Sequence, residues 1–371
     1  MLRFTFQLVR RNIKPLILIV SFLTFIWLIV DTAHRPEFVR HASKHSFRFG
    51  SNANEPEEHW YDRTMGQFLE LLEIDSNITA DESRNSFEPM ACPRVKTMVF
   101  TAFTGNSQVE NLWHYFSLIA IQNSYNSSST DYRIQIMLTN GTSTELGEIF
   151  ESIPFEVINM KIIWCFPYKS ILNSDTSIEF GKSYIQLFVL NNQAKRLQEI
   201  VKVPWEQQKQ FFRLRTEAAN TAKNLLHEMR QRSKLYGDEE DVNNLQFVGI
   251  HIREEDQLPY EYYYRAMTFH RKMHDTGALL FVIICENPKS IVCSMLNEQS
   301  ERIEVIDEHN EADVDFALLT YCNHSILSNE RDIFPSLLRG FGNVVVYGEQ
   351  HDRSQHAIEL ASFKENWYSI V

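Results

Sequence analysis

Apolar and polar segments alternate regularly in the second half of the chain. The run Phe247–Asp256, FVGIHIREED, follows the polar stretch Gly237–Asn244 and predicts a buried strand of a parallel sheet. Helices are expected at Glu261–Asp275, Ser290–Gln299, Val314–Tyr321 and Pro335–Arg339, and strands at Ala278–Cys285, Ile303–Ile306, His324–Leu327 and Asn343–Tyr347, the last closing the sheet. This alternation predicts parallel strands joined by right-handed crossovers.

The first half predicts a second set of βα units. Val95–Phe103 reads as a strand that ends at the turn Thr104–Asn106, and a helix is expected over Asn111–Ser124. The other expected elements are strands at Tyr132–Leu138 and Lys161–Phe166, a short helix around Leu146–Ser152, and long helices at Ile178–Lys202 and Trp205–Ser233. We therefore expect two α/β domains, over residues 93–240 and 241–371, that face a cleft.

The N-terminus predicts a membrane anchor. Pro15–Val30 carries no charged residue, and with residues 31–33 as a margin it gives roughly 19 residues, enough for one membrane-spanning helix. Basic residues precede it at Arg3, Arg10, Arg11 and Lys14. By the positive-inside rule, residues 1–14 should be a cytoplasmic tail and residues 34–92 a lumenal stem. A cleaved signal peptide is the alternative, which the absence of an A-x-A-like site behind the run disfavours.

Composition favours a body in the secretory pathway and excludes one class of partner. The formal net charge of −12 argues against nucleic-acid binding. Glycosylation sequons occur at Asn77, Asn126, Asn140 and Asn323, the last within an apolar segment where modification is less expected. The five cysteines leave at least one thiol unpaired. Cys285 and Cys322 lie in apolar runs, which is more typical of buried thiols than of bridges.

Arg253 is the first candidate for chemistry. It follows the predicted strand at the sheet edge where ligands of open α/β sheets bind. A guanidinium there offers a fixed fork of donors that matches a diphosphate. The alternative is an arginine that only pairs with Glu254, Glu255 or Asp256, because H-x-R is a weak pattern.

Several segments then resemble one family, the α-1,2-fucosyltransferases. Phe247–Asp256 resembles the family's H-x-R-R-x-D strand, and Tyr262–Met267 its Y-Y-x-x-A-[IM] helix. Asp315–Ile326, DFALLTYCNHSI, is close to D-F-A-L-L-T-x-C-N-H-[ST]-I and is the most specific match. Asn111–Ile121 more weakly resembles the helix after the family's Gly-rich loop. The resemblance covers about Val95–Tyr347 in separate pieces.

The resemblance implies a GT-B-like fold of two Rossmann-like domains and a single-pass type II protein of the Golgi membrane. The implied reaction moves L-fucose from GDP-fucose to a terminal galactose of a glycan, in α-1,2 linkage and with inversion. Arg253 would contact the β-phosphate, His251 the nucleotide, and Asp256 would hold Arg253 or the guanosine. Ser325 and Ser328 are candidate diphosphate hydroxyls, with an ordinary turn role as the alternative.

The chain departs from the family at the chemistry. Glu254 replaces the second arginine of the motif, although related protein fucosyltransferases also lack that arginine. Asn106–Glu110 replaces the Gly-rich loop. Arg331 and Asp332 replace a hydroxyl and a stacking aromatic, and Arg331 can neutralise phosphate whereas Asp332 cannot stack. These changes motivate a second hypothesis, a catalytically degenerate relative that acts as a lumenal binding or scaffold protein.

The sequence does not identify the general base. Glu254, Glu255, Asp256 and Asp315 are all candidates, and Asp315 is also typical of a first-turn helix carboxylate. No Asp-x-Asp motif stands in a suitable loop, so we expect no divalent metal for the reaction. An unrelated membrane-anchored adhesion protein is the third reading, and it would need a β-rich body that the βα alternation disfavours.

Overall fold

The computed structural model describes residues 68–371 apart from fourteen gaps. The gaps are 75–91, 127–130, 160–162, 164, 166–167, 175–176, 179–184, 192–193, 234–243, 254–257, 275–277, 298–301, 307–309 and 350–354. The predicted tail, the anchor and most of the stem therefore lie outside the described residues. Every described residue belongs to one compact unit. Within the described ranges, no helix combines the length and the apolar character needed to cross a bilayer.

The first sheet has five parallel strands in the order β4-β2-β1-β6-β5. The strands of this half are β1 Thr97–Ala102, β2 Arg133–Leu138, β3 Phe150–Ser152, β4 Glu156–Val157, β5 Tyr168–Leu172, β6 Ile185–Leu190 and β7 Arg213–Leu214. The helices are α1 Gln108–Asn126, α2 Asn140–Gly147, α3 Leu197–Ile200 and α4 Thr216–Ser233. Strands β3 and β7 form a separate antiparallel pair. All six residues of β1 are buried, as expected for a strand covered on both faces.

The second sheet has six parallel strands in the order β10-β9-β8-β11-β12-β13. Its strands are β8 Gln246–Ile252, β9 Leu279–Cys285, β10 Ile303–Ile306, β11 His324–Ile326, β12 Val344–Tyr347 and β13 Trp367–Ile370. Its helices are α5 Tyr260–Met273, α6 Ile291–Asn297, α7 Ala312–Tyr321, α8 Ile333–Arg339 and α9 Gln355–Phe363. The chain runs from β8 outward to β10, and then returns to β11 on the other side of β8. The strand order therefore reverses between β8 and β11.

One hydrophobic cluster joins the two halves. Helix α1 of the first half packs on α8 of the second, where Trp113 and Phe116 contact Phe334 at ring-centroid distances of 4.9 and 5.0 Å. All three side chains are fully buried. Aromatic rings in such tilted or edge-on contacts stabilise the fold by more than the burial of their apolar area alone. The two sheets therefore share a core.

Four sequence-based expectations are wrong. Ile163 and Cys165 are helical, and the strand expected over Lys161–Phe166 begins instead at Tyr168. A long helix is expected over Ile178–Lys202, but this segment includes strand β6, whose run IQLFVL is buried from Gln186 onward. A fully buried strand shows no alternation of apolar and polar residues, and its pattern is easily taken for helix.

The other two errors concern element ends. The helix expected from Trp205 begins at Thr216, after two 3-10 turns and the short strand β7. Strand β12 does not close the second sheet, because β13 pairs with its outer side. A fifth expectation is met only in part: the short helix expected around Leu146–Ser152 ends at Gly147, and strand β3 follows.

Candidate functional site

The residues singled out in the sequence converge where the second sheet reverses its strand order. His251 lies near the end of β8, and Arg253 follows it on the same side because side chains alternate along an extended chain. The loop after the neighbouring strand β11 carries Ser328, Arg331 and Asp332. In open α/β sheets this edge, outside the carboxyl ends of the strands, is where ligands bind.

Arg253 has a guanidinium with one donor that makes no hydrogen bond. Its side chain is half-buried, and its Nε is buried without a hydrogen-bond partner. Among the residues that the structure describes, Arg253 makes no ion pair. The acidic residues Glu254, Glu255 and Asp256 lie outside the described residues. A buried N–H group without a partner is costly, so this position favours a ligand that accepts hydrogen bonds.

Arg331 supplies a second guanidinium at the same edge. It is only 8% exposed and donates from Nη2 to the carbonyl of Ala312 at 3.2 Å. Burial lowers the pKa of Arg331, and the positive charge of Arg253 lowers it further. The two positive charges repel each other, the carboxylates of Asp332 and Asp315 act in the opposite direction, and a bound anion would offset the repulsion further.

His251 and Asp332 form a buried contact that the sequence did not indicate. Nδ1 of His251 lies 3.1 Å from Oδ1 of Asp332, and both side chains are less than a tenth exposed. The single hydroxyl hydrogen of Ser328 is shared between the carbonyl of His251 and the other oxygen of Asp332, which lies 3.3 Å away. The backbone N–H of Asp332 donates to Oδ1 of Asn329 at 3.2 Å. These bonds fasten the loop after β11 to the end of β8.

Asp315 lies at the start of α7, close to this network. Burial raises the pKa of Asp315, while the nearby His251 and Arg331 and a hydrogen bond of 3.2 Å from Asn310 act in the opposite direction. Of the four candidate bases, Asp315 alone falls within the described residues. Asp313, two residues earlier, pairs at 3.4 Å with Arg215 of the other half of the chain.

The loop that replaces the Gly-rich segment uses its own N–H groups. Gly105 N–H donates to Oδ1 of Asn111 at 2.8 Å, and Asn106 N–H donates to Oε2 of Glu110 at 2.7 Å. A Cβ at Gly105 would lie 2.6 Å from Cβ of Glu110, so the loop is closely packed on α1. Two amides that could meet a phosphate are therefore already occupied.

The remaining candidate residues lie elsewhere. The hydroxyl of Ser325 accepts from Nη1 of Arg339 at 2.7 Å inside the second sheet, so it is not among the groups gathered at the edge. Asn77 lies outside the described residues, as does the side chain of Asn126. Asn140 is exposed at the start of α2. Asn323 is half-buried, and its side-chain oxygen accepts from the N–H of Phe247 at 2.8 Å.

The cysteines correct one expectation and agree with another. Cys285 is not a buried thiol, because it forms a disulfide with Cys293 across the start of α6. The two are only 8 residues apart, and the turn after β9 brings them together. A second disulfide joins Cys92 to Cys165. Cys322 is the buried free thiol that the sequence indicates, and burial raises its pKa to about 12.

The structure thus defines a mixed α/β protein with two parallel sheets, and two arginines, a histidine and two carboxylates gather at the carboxyl edge of the second sheet. No protein-family model matches the sequence, and no curated protein matches it. Among solved structures, fucosyltransferase NodZ from Bradyrhizobium aligns with a TM-score of 0.41 and 10% identity, over 68% of this chain and 96% of that chain.

Two further structures align less well. ADP-heptose LPS heptosyltransferase II from E. coli aligns with a TM-score of 0.36 and 11% identity, over 74% of this chain and 90% of that chain. POFUT1 in complex with GDP aligns with a TM-score of 0.33 and 10% identity, over 66% of this chain and 95% of that chain. These TM-scores are too low for the likenesses to assign an activity to this chain.

Proposed function

We propose that this protein is a fucosyltransferase-like glycosyltransferase that binds GDP-fucose with its diphosphate between Arg253 and Arg331. One observation carries the proposal: Arg253 and Arg331 both lie at the carboxyl edge of β8 and β11, and Arg253 has a buried Nε without a partner and no ion pair within the described residues. A diphosphate matches both the charge and the forked donor geometry of this pair.

The same groups suit the chemistry of transfer. Negative charge develops on the departing GDP, and the two fixed cations would stabilise it more strongly in the transition state than in the bound donor. Asp315, with a pKa raised by burial, is the proposed proton acceptor for the attacking hydroxyl. His251 and Asp332 are proposed as positioning residues, because their contact holds the loop that carries Arg331 beside the strand that carries Arg253.

The finer assignment rests on the family motifs. Asp315–Ile326 and Phe247–Asp256 support transfer to a terminal galactose in α-1,2 linkage, with inversion. Two disulfides in the body suit an oxidising compartment, which supports a lumenal body behind a type II Golgi anchor at residues 15–33. We propose that no divalent metal takes part, because two arginines can neutralise the diphosphate.

A second candidate function is a lumenal binding protein without transfer activity. The loop at Gly105 and Asn106 supports it, since both of its amides are occupied by side chains of α1. Asp332 also occupies the position at which the α-1,2-fucosyltransferases have a stacking aromatic. Its carboxylate contacts the ring of His251 instead. Such a protein would still bind GDP through the arginine pair.

A transfer assay separates the candidates. The full-length chain is incubated with labelled GDP-fucose and galactose-terminated glycans, alongside Arg253→Ala and the control Arg232→Ala, whose side chain is half-exposed in an ion pair with Glu304. If the protein is an enzyme, the wild type and the control should transfer fucose, and Arg253→Ala should lose transfer activity. GDP binding without transfer favours the binding protein. Transfer that survives in Arg253→Ala contradicts the proposed site.

A further inference from the structure

Three histidines meet at the opposite edge of the second sheet. His270 and His274 are one turn apart at the end of α5, and His324 is the first residue of β11. One ring nitrogen from each lies within 4.8 Å of the other two. The donor site lies beyond the carboxyl ends of the strands, whereas this cluster lies at their amino ends, so the two are separate.

His270 has no hydrogen bond of acceptable geometry in the described structure. Its side chain is fully buried, and both ring nitrogens lack a partner. Burial lowers the pKa of His270 to about 4, with a smaller opposing effect of the nearby Ser325 carbonyl. An imidazole buried without a partner is costly unless a ligand completes it.

Asn343 contacts two of the three histidines. Its backbone N–H donates to Nδ1 of His324 at 2.9 Å, and its side-chain amide lies 3.3 Å from Nε2 of His274. The N–H donor fixes Nδ1 of His324 as the lone-pair nitrogen, so Nε2 carries the proton and donates to Oε1 of Gln246 at 2.8 Å. Ligand histidines commonly donate their second nitrogen in this way, which fixes the tautomer that coordinates the metal.

We propose that His270, His274 and His324 bind one divalent transition-metal ion of the zinc class. Three imidazole nitrogens suit zinc, copper or nickel rather than magnesium or calcium, which prefer oxygen. A water molecule would take the fourth position of a tetrahedral site. His274 is half-buried, which would give the ion a path from solvent. Asn343 would give up its contacts with His324 and His274 when the metal binds.

The site would fasten the end of α5 to the second sheet. The start of α5 is already held, because the hydroxyl of Tyr262 donates to the carbonyls of Leu327 and Val345 at 2.7 and 3.1 Å. A metal bound by His270, His274 and His324 would hold its other end to β11. An ion that binds only the folded chain stabilises it in proportion to the logarithm of the ion concentration. The role is therefore structural, and it does not depend on the proposed function.

The test is zinc binding to the full-length chain, purified without a polyhistidine tag and stripped with a chelator. Calorimetry should show one Zn²⁺ per chain, and the ion should raise the melting temperature. His274→Ala, at the half-buried position where folding is least at risk, should weaken binding by more than about 100-fold, since even the outer partners of metal ligands are worth roughly 10–100-fold. Asn343→Asp should strengthen it by adding a carboxylate.

The control is His227→Ala, which removes an exposed histidine of α4 whose side chain contacts only Gln231 in the described structure. It should bind Zn²⁺ as the wild type does. Co²⁺ substitution should give the visible absorption of a tetrahedral site in the wild type and not in His274→Ala. Absence of stoichiometric binding, or equal binding by wild type and His274→Ala, would overturn the proposal.

Discussion

Nδ1 of His251 and Oδ1 of Asp332 lie 3.1 Å apart, although 81 residues separate them in the sequence. The contact joins the end of β8 to the 3-10 turn that follows β11. Arg253 stands two residues after His251, and Arg331 directly precedes Asp332. The buried pair therefore ties the segment that carries Arg253 to the turn that carries Arg331.

Removal of the Asp332 carboxylate should loosen this edge. Asp332→Ala leaves the ring of His251 buried without its partner, which should cost about 1–3 kcal/mol of unfolding free energy. Asp332→Asn keeps the volume and should cost less. Urea denaturation measures both, and GDP affinity should fall in parallel. The exposed Asp131, which pairs with Lys96 at 3.8 Å, supplies the control Asp131→Asn, with little change. Wild-type GDP affinity in Asp332→Ala would refute the positioning role.

The aromatic contact between the two halves should carry a large share of the stability. Phe334 is fully buried between Trp113 and Phe116, so Phe334→Ala should lower the unfolding free energy by about 3–5 kcal/mol. Phe341 is 59% exposed, and Phe341→Ala should change it by less than about 0.5 kcal/mol. Urea melts of the two variants make the comparison. Similar losses in both would mean that the halves do not share this core.

Stability of the metal-free protein should fall on mild acidification. The pKa of His270 is lowered from 6.5 to about 4, so between these values the unfolded chain binds a proton that the folded chain does not. Stability contributed by the neutral ring is present above pH 6.5 and is lost as the pH falls toward 4, by roughly 3 kcal/mol in all. His324, with a pKa lowered to about 3, adds in the same direction. Urea midpoints in the presence of chelator measure the effect, and His270→Leu should reduce it. An equal pH dependence in that variant would contradict the assignment to His270.

The sequence predicts the second half far better than the first, for a physical reason. Strands β9 and β10 are short apolar runs between amphipathic helices, so the expected and observed elements nearly coincide. Strand β6 was missed because burial on both faces removes the alternation that identifies a strand. Its place beside β1 depends on a pairing between distant segments, which local pattern does not encode.

Some residues of the candidate site can likewise be predicted from the sequence, and others cannot. The position of Arg253 follows from the strand pattern alone, because the carboxyl end of a parallel strand is where the edge must lie. The role of Asp332 does not follow from the sequence, because its partner His251 lies in a distant strand and no local pattern links the two residues. The three histidines likewise combine a helix and a strand more than fifty residues apart, and only the one-turn spacing of His270 and His274 is visible in the sequence.

Calorimetric titration of the full-length chain with GDP tests the central claim most directly. The account predicts saturable binding by the wild type and by the control Arg232→Ala, and a large loss of affinity in both Arg253→Ala and Arg331→Ala, because each removes a charge-assisted contact worth about 1.5–3 kcal/mol, or roughly 10–150-fold. Undiminished GDP binding by both arginine variants, or no heat with the wild type at millimolar GDP, would contradict it.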